Sequence, residues 1–535
     1  MLPLEIDPPE ITIATGPRIE TMTSARPEAF AYGNGRILAE GTLDDLRRLF
    51  PGAVTRHLDG ALLIPGFNDA HIHPSFAAEQ TLRVDLGPAR APDSATALAL
   101  LRERAGSATA GEWVVGAGYD VVHPPSPRLD RRSLDTVSTR HPVYVVGSSW
   151  HAAVANTRAL AVITADPAST GPGGDLGRDA SGELDGWLYE LPHINTVWSG
   201  TVLPELPRPA LADALRAQNS ALNALGITSY TDALVTPATW AAYEVLRRER
   251  AQTARAGFAL WHQHRDLVSG LPLGPGFGDE WLRFTGVKLM YDGALSGGTC
   301  LCSASYEGPA GTGTGIQVLS KEDLTEIVTD VHGQGMRACV HANGDAAISD
   351  VLDAIETAQA RFPELITRHR IEHCSITDDT LIGRIKAAGV IPVPFGAFVG
   401  HYGDHLARMY SPERAASVAR HGSFLAAGVS VAGSSDFPCG PVNVFTALRS
   451  LTSRESGSGQ VLGERERLDM RRALWVYTVG SATATGEETV KGRLAPGYLA
   501  DFTVLSEDIR ETEPGWADRV RVVSTWVGGR EVWPG

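Results

Sequence analysis

The stretch that decides the fold is PGFNDAHIHPSF, residues 65–76, which continues the apolar run ALLIPG at residues 61–66. A short apolar run that ends at a Pro-Gly turn is typical of a buried β-strand. Side chains alternate along a strand, so His71 and His73 would project from the same face. Two such imidazoles can bind one cation, although two core histidines would give the same pattern. The pair is therefore a candidate metal site that needs support from elsewhere in the chain.

The composition is that of a soluble globular protein and limits its partners. The chain has 535 residues, 43% hydrophobic and 20% charged, which allows a large core and more than one domain. Its net charge is −15 and no run of Lys or Arg stands out, so we expect no binding to nucleic acid or anionic membranes. No secretory signal is visible at the N-terminus, and no apolar stretch approaches the ~20 residues of a membrane helix.

Five cysteines, an odd number in so long a chain, do not predict a disulfide framework. A reducing, cytoplasmic location is the simplest interpretation. Cys339 and Cys374 lie close in sequence to His341 and His373. Thiolate ligation of a metal is one interpretation, but a small buried residue is the commoner role of such a cysteine.

From about residue 205 a pattern recurs: an amphipathic helix, a glycine, a short apolar or β-branched run, then polar residues. It is found in ALNALGITSYTDA, VTDVHGQGMRACVHANGD, IKAAGVIPVPF and FLAAGVSVAGSSD. In these segments Gly226, Gly335, Gly389 and Gly428 fall where a helix should end in a left-handed cap. Helices and strands that alternate every ~30 residues indicate βα units around a parallel sheet.

The number of strands favours a barrel. RAGFALWHQH, WLRFTGVKLMYDG, HRIEHC and the strand before His71 bring the candidates to eight. We therefore predict an α/β fold with a distorted (β/α)8, or TIM, barrel over residues 65–485. A doubly wound open sheet is the competing arrangement, but no glycine-rich dinucleotide fingerprint follows the first strand.

Two regions do not follow this repeat of helices and strands. Residues 77 to about 205, which include EWVVGAGYD and HPVYVVGSSWHAAVANTRAL, are too long for a βα loop. We expect an inserted subdomain that lies over one end of the barrel. Residues 1–64 and 486–535 both contain short strand-like runs, such as AFAYGNGRILAEG and VRVVSTWVGGREVW. They predict one small β-sandwich built from the two chain ends.

Residues that can bind metal stand at the ends of the strand candidates. They are His71, His73, Lys288, His341, His373 and Asp436. His341 and His373 are 32 residues apart, about one βα unit, and Asp436 follows after 63 more, about two units. Because the carboxyl ends of barrel strands meet at one mouth, we expect these side chains to converge. Four imidazoles and a carboxylate are good ligands for Zn²⁺ or a similar ion, which favours metal binding by the opening pair. For Lys288, an ordinary surface or ion-paired lysine is the alternative.

These residues resemble a known family. GFNDAHIH, Lys288, His341, His373, GSSDFP and the closing GRLAPGYLADFTVL are similar to the amidohydrolase superfamily of metal-dependent hydrolases, over nearly the whole chain. VKLMYDGALSG, VHANGDAAI, RIEHCSI and the long insertion resemble its N-substituted formamide deformylase-like branch. The segment GALSGGTCLC departs from the polar, Arg-containing stretch expected after DG, so the resemblance leaves substrate specificity open.

The resemblance implies a binuclear centre with two divalent ions, Zn²⁺ first, and Mn²⁺ or Fe²⁺ as alternatives. His71 and His73 would bind the more buried ion, His341 and His373 the outer one. Lys288, carboxylated on its side-chain nitrogen (N6), would bridge the two ions, and Asp436 would complete the shell of the buried one. Burial and metal charge would lower the lysine pKa and provide the free amine that reacts with carbon dioxide.

The chemistry implied is hydrolysis of the C–N amide bond of a small acyclic substrate, an N-acyl or N-formyl amine. Two ions ~3.5–4 Å apart lower the pKa of a shared water from ~15.7 towards ~7. The resulting metal-bound hydroxide would attack the carbonyl, with Asp436 as the proton shuttle. A mononuclear deaminase that does not need the lysine bridge is an alternative, as is an ester, lactone or organophosphate hydrolase. A non-enzymatic scaffold is disfavoured, since no ligand is missing. A small-molecule substrate is the expected partner, and a homodimer is left open.

Further candidates lie in the insertion and beside the strands. His151, in SSWHAAVAN, resembles a family histidine that faces the pocket, and we expect it to hydrogen-bond the substrate carbonyl; a locally satisfied histidine is the alternative. Tyr189 and Glu190, in GWLYE, fall where the family contacts substrate, although a structural role is equally compatible with their sequence. Asp292 is expected on the substrate side of the site, where it orients a ligand or loop. His369 and Glu372 have no claim beyond lying near a strand.

Overall fold

A curled sheet of parallel strands forms the centre of the protein. The computed structural model describes residues 10–166, 173–271, 273–305, 313–511 and 515–534. Within them the central sheet has seven strands: β1 (Phe67–Ile72), β2 (Ile227–Val235), β3 (Arg255–Trp261), β4 (Leu282–Met290), β5 (Ala338–Ala342), β6 (Arg370–His373) and β7 (Ile391–Val393). Each strand pairs in parallel with the next in chain order. The predicted α/β fold with a barrel-like parallel sheet is confirmed.

The expected eighth strand is irregular. The segment before Asp436 meets the loop after β7 through a single bridge, Phe395 to Ser434. Gly433 accepts a hydrogen bond from Ala70 N–H of β1 (3.0 Å), but its own N–H donates to Val476 O (3.1 Å). Tyr477, in the π-turn Val476–Gly480, packs so closely that a Cβ on Gly433 would lie 2.7 Å from its ring. The prediction of eight regular strands is wrong here, because this turn takes backbone bonds that a strand ladder would use.

Helices surround the sheet, and their apolar faces pack on it. In Lys321–Gly333, Leu324, Val328 and Val331 form a buried stripe at helical spacing. The four glycines predicted as helix caps have φ between +64° and +79°, as a left-handed cap requires. The helices of this layer are Arg208–Ala224, Pro237–Arg248, Lys321–Gly333, Asp345–Arg361, Asp379–Ala387, Phe398–Met409, Pro412–Ala416, His421–Ala426, Val444–Ser453, Met470–Trp475 and Ser481–Thr485, with 3₁₀ turns at His262–Leu267 and Glu464–Glu466.

A second sheet lies in the region between β1 and β2. Its order is Gly174–Arg178, Leu184–Glu190, Ala152–Ala155, Val143–Gly147, Val114–Tyr119 and Val84–Asp85, with helices Pro74–Thr81, Ser94–Ser107, Arg131–Asp135, Thr157–Ile163 and Leu191–Trp198. Phe76, Trp150 and Trp198 pack with Trp261 and Met290, which end β3 and β4. This region therefore contacts the carboxyl end of the barrel. Its proposed limits, about 77–205, stay a prediction, and residues 167–172 lie outside the described chain.

Both chain ends contribute to the remaining sheets. One has the order Arg36–Gly41, Ala29–Gly33, Thr12–Thr15 and Val54–His57, beside the helix Leu43–Leu49; the other joins Arg18–Ile19, Leu62–Pro65, Phe502–Leu505, Val522–Val527 and Arg530–Trp533, near the helix Trp516–Arg519. Leu62–Pro65 pairs antiparallel with Phe502–Leu505, which brings the two ends into one sheet. The boundaries at 64 and 486 stay predictions, and residues 1–9 lie outside the described chain. Among the described helices, none has the length and apolar character needed to cross a membrane.

A buried pair of histidines lies beneath the barrel, at the amino end of β6. His369 Nδ1 accepts the backbone N–H of Ala338 (3.0 Å), so its proton is on Nε2, which donates to His332 Nδ1 (2.9 Å). His332 Nε2 in turn lies 3.3 Å from Phe362 O. Burial lowers the pKa of His369 to about 3. The folded protein therefore holds His369 neutral, whereas the unfolded chain binds a proton near pH ~6.5.

We expect His369 to make the protein sensitive to acid. The contribution of His369 to the free energy of unfolding is present above the unfolded-state pKa of ~6.5. It is lost as the pH falls towards 3, because only the unfolded state takes up the proton. When the pH is lowered from about 7.5 to 5, the free energy of unfolding should fall by about 2 kcal/mol less in His369→Gln than in the parent. Urea unfolding followed by tryptophan fluorescence measures this difference. His57→Gln, at an exposed histidine, is the control. Equal acid losses in the parent and His369→Gln would refute the assignment.

Candidate metal centre and active site

Four side chains meet at the carboxyl end of the barrel. His71 lies in β1 and His73 just after it, His373 ends β6, and Asp436 follows the irregular eighth segment. His71 Nε2 lies 3.2 Å from His73 Nε2, and Asp436 Oδ1 lies 3.4 Å and 3.3 Å from these two nitrogens. Ligand atoms of His71, His373 and Asp436 all fall within 4.8 Å of one another. The structure thus brings together four of the six predicted ligands.

The backbone at two of these residues is unusual. His373 has φ +67° and Asp436 has φ +56°, in the left-handed region that costs a residue with a side chain ~1–3 kcal/mol. The turn at Asp436 is held to β1, since its N–H donates to His71 O (2.9 Å) and His73 N–H donates to Phe437 O (2.7 Å). These bonds place the carboxylate against the histidine pair.

The chemistry of these atoms fits a divalent cation. His71 Nδ1 lies 2.5 Å from the Glu372 carboxylate and donates its proton to it, which leaves a lone pair on Nε2. Burial alone would raise the pKa of Asp436. The neighbouring rings of His373, His71 and His73 nevertheless hold this pKa well below its usual value. Imidazole nitrogens and a carboxylate oxygen thus lie together at this point. Such a set can hold a divalent cation.

Lys288 is buried near the end of β4, with 2% of its surface exposed. Burial lowers its pKa, against the opposing effect of Glu372 and Asp436. Its charge is also among the influences that, after burial, lower the pKa of His73 and His373. Its role as a bridging ligand stays a prediction.

His341, on β5, is placed differently from the other histidines. Its ring lies 4.5 Å from that of His373, centroid to centroid, and burial holds its pKa well below the usual value. Its Nε2, however, lies 3.2 Å from Gly293 O and 3.0 Å from Asn343 Nδ2. This nitrogen is thus engaged by the loop after β4.

Glu372 is a functional residue that the sequence reasoning missed. It is fully buried and accepts two hydrogen bonds from Arg370, from Nε (2.7 Å) and Nη2 (2.8 Å), besides the bond from His71. Arg370 also donates to Ala70 O in β1 (2.7 Å). The available signal was the alternation on β6, which puts Arg370 and Glu372 on one face inside a barrel, where an isolated charge is costly.

The insertion contributes His151. Its ring lies 5.1 Å from that of His341, and its Nδ1 lies 2.8 Å from Glu190 Oε2. Burial would lower the pKa of His151, but the Glu190 carboxylate raises it above its usual value. Glu190, 1% exposed, also accepts a hydrogen bond from Thr299 (2.9 Å) and has φ +54°. It supports His151 rather than facing the pocket.

Two other predicted substrate contacts also lie off the pocket. The Tyr189 hydroxyl accepts a hydrogen bond from Arg128 (2.8 Å), and its ring stacks on Trp187 at 6.1 Å. The Asp292 carboxylate accepts the backbone N–H groups of Leu301 (2.9 Å), Asn343 (3.0 Å) and Gly344 (2.9 Å), and burial raises its pKa to about 7. The polar atoms of Tyr189, Glu190 and Asp292 are thus used by protein partners, and their contact with a substrate stays a prediction.

A narrow pocket of about 30 Å³ opens above the metal-binding residues. Its walls are Ser149, His151, Ala294, Leu295, Ser296, Asn343, Phe395, Phe398, Tyr402 and Cys439, with His341, His373 and Asp436 at the base. Among the described residues no lysine or arginine lines it. The pocket is therefore neutral and partly aromatic outside its base.

Comparison with known proteins identifies the class. The model of the amidohydrolase family matches residues 55–533. The chain belongs to this family and is an amidohydrolase.

Individual relatives cover almost the whole chain. It is 28% identical to YtcJ of Bacillus subtilis, named as an amidohydrolase, over 95% of this chain and 96% of that protein. It is 27% identical to the N-substituted formamide deformylase of Arthrobacter pascens, over 94% of each chain. An uncharacterized metal-dependent hydrolase from Pyrococcus horikoshii shares the fold, with a TM-score of 0.75, 23% identity, and 95% and 99% of the two chains covered.

Replacement of Glu372 by Gln should affect both stability and metal binding. The change leaves the buried Arg370 guanidinium without its counter-charge, at a cost of about 3–5 kcal/mol of unfolding free energy. It also weakens the acceptor of His71 Nδ1–H, so zinc affinity should fall about 10–100-fold. Unfolding midpoints measured in the presence of a chelator report the change in stability. Competition titrations with zinc report the change in metal affinity. Glu356→Gln removes an exposed partner of Arg384 and serves as control. Parent-like values for Glu372→Gln would contradict both roles.

Proposed function

We propose that the protein hydrolyses the amide bond of a small acyclic N-acyl or N-formyl amine at a binuclear metal centre. The observation that carries the proposal is the convergence of His71, His73, His373 and Asp436, of which His373 and Asp436 line a pocket. An amide is supported by the family and by the printed activity of the Arthrobacter relative. The neutral walls support a substrate without a carboxylate to be paired.

The ligands divide between two ions, which we propose to be zinc, with manganese or iron(II) as alternatives. His71, His73 and Asp436, whose ligand atoms are 3.2–3.4 Å apart, would hold the inner ion. His341 and His373 would hold the outer one. Lys288 would bridge them as an N6-carboxylated side chain, formed when its neutral amine adds to carbon dioxide and gives up a proton. The lowered lysine pKa supports this step.

The residues of the chain then have separate tasks. Divalent ions supply, when bound, polarisation of the carbonyl group and acidification of water. Asp436 orients the attacking water, takes its proton as the new C–O bond forms, and passes that proton to the nitrogen as the C–N bond breaks. His151, hydrogen-bonded at Nδ1 to Glu190, would donate from Nε2 to the carbonyl oxygen. The products are a carboxylate and an amine.

One observation favours a second candidate, a mononuclear deaminase. The compact group of ligand atoms contains His71, His373 and Asp436, whereas His341 Nε2 is engaged with Gly293 O. One tightly bound ion would suffice for that chemistry. Esters and lactones also remain substrates that the same groups can hydrolyse. The domain boundaries and a cytoplasmic location stay proposals that rest on the sequence, and a homodimer is left open.

The function is tested by a screen of N-formyl and N-acyl amines on protein stripped with chelator and reloaded with zinc or manganese. Turnover should depend on the metal and should appear with neutral amides. Asp436→Asn should lower kcat about 10²–10⁴-fold, because the proton shuttle is lost, and reduce bound metal far less. Amine release and metal analysis provide the readouts. Turnover in metal-free protein, or parent-like kcat in Asp436→Asn, would refute the mechanism.

The number of ions is tested by Lys288→Ala. If the lysine bridges two cations, the variant should bind one ion per chain where the parent binds two, and its activity should collapse. Metal analysis after dialysis measures this. Lys321→Ala, at a half-exposed lysine paired with Asp350, is the control. One ion in both proteins together with full activity in Lys288→Ala would favour the mononuclear candidate.

A further inference from the structure

The side of the His73 ring that faces away from His71 and Asp436 lies next to Asp232, a residue with no role assigned so far. His73 Nε2 faces His71 and Asp436, but its Nδ1 is buried and has no hydrogen-bond partner among the described residues. Opposite it, 3.9 Å away, lies Asp232 Oδ1, which is also buried and also without a partner there. An imidazole nitrogen and a carboxyl oxygen, both without another partner, thus face each other across a gap about 1 Å longer than a hydrogen bond.

Asp232 is rigidly held for this task. It lies near the carboxyl end of β2 and is fully buried. Its other oxygen, Oδ2, accepts the Tyr243 hydroxyl (2.7 Å) and the backbone N–H of Ser75 (3.3 Å). Among the described residues no lysine or arginine pairs with it, and His73 is the one basic group within 4.0 Å. A buried carboxylate without a cation is costly, and a cation on the far side of His73 would compensate it.

The neighbouring carboxylate, Asp69, does not accept a hydrogen bond from His73. Its Oδ1 accepts the backbone N–H groups of His71 (3.2 Å) and Ser435 (3.1 Å), so it orders main chain and not an imidazole. Glu372 is committed to His71. Asp232 is therefore the acceptor that the geometry provides for His73.

We infer that Asp232 is a positioning residue of the metal centre: it accepts the Nδ1–H of His73, directly or through one water, and so keeps the Nε2 lone pair directed at the inner ion. A neutral imidazole carries one proton, and an acceptor at Nδ1 decides which nitrogen can bind metal. The inference rests on the metal-binding part of the proposed function and is independent of the substrate and of the second ion. His71 and His73 would then each be oriented by a buried carboxylate from another strand.

The test measures zinc affinity by competition with a chromophoric chelator, and the absorption spectrum of the Co²⁺-substituted protein. Asp232→Leu/Tyr243→Phe removes the carboxylate together with its hydroxyl partner, a change that leaves fewer unpaired groups than Asp232→Leu alone. Tyr243→Phe by itself is the matched control, because it keeps the carboxylate. We expect the double variant to bind the tightest zinc ion about 10–100-fold more weakly and to show an altered Co²⁺ spectrum. Tyr243→Phe, which keeps the carboxylate but removes one of its two hydrogen-bond donors, should weaken zinc binding less than the double variant does.

Asp232→Asn keeps an oxygen acceptor without the charge, so it should recover part of the lost affinity; this variant also decides the question if the double variant does not fold. In that case an Asn variant with parent-like affinity and a parent-like Co²⁺ spectrum overturns the inference, as does a folded double variant with parent-like values. A parent protein that binds no zinc would instead refute the metal centre itself. Parent turnover with zinc, combined with unaltered affinity in the double variant, would refute only the role of Asp232.

Discussion

The closure of the barrel between β1 and the segment before Asp436 is the contact on which the site depends. Ala70 N–H bonds to Gly433 O, and Asp436 N–H bonds to His71 O, so the first and last parts of the barrel meet residue by residue. The same contact holds Asp436 in a left-handed turn against the two histidines of β1. Without it, a carboxylate more than three hundred residues away in sequence would not reach the pair. The irregular eighth strand is thus part of how the centre is assembled.

Around this contact the protein buries an unusual amount of charge. Arg370, Glu372 and Lys288 are removed from water, and the Asp436 side chain is 19% exposed. Each has a partner of opposite sign or a basic ring beside it, and burial lowers the pKa of His73, His341 and His373. A barrel interior is a low-dielectric environment, where such groups are tolerated only as a connected set. Nitrogen and oxygen atoms of this set lie close enough together to suit a cation.

The insertion adds a different kind of control. It brings His151 over the metal-binding residues and supports it with Glu190, which is tied in turn to Thr299 in the loop after β4. The pocket that remains is small and has neutral walls. In the proposed function, the metal ligands come from the barrel strands, while the insertion supplies His151 and part of the pocket wall. This division is the usual way in which barrel enzymes vary their substrates.

Spacing and alternation in the sequence were enough to predict the parallel sheet, the cap glycines and the meeting of His71, His73, His373 and Asp436, because strand periodicity and βα repeat length are local properties. Sequence could not show that the eighth strand is broken, since Tyr477 and Val476 compete for its backbone only after the chain has folded. Nor could it show that Glu372 accepts a hydrogen bond from His71, that Asp232 lies 3.9 Å from His73, or that the polar atoms of Tyr189 and Asp292 are taken up by other protein groups. Those distinctions depend on which buried polar atoms find partners across strands, and only the tertiary structure decides that.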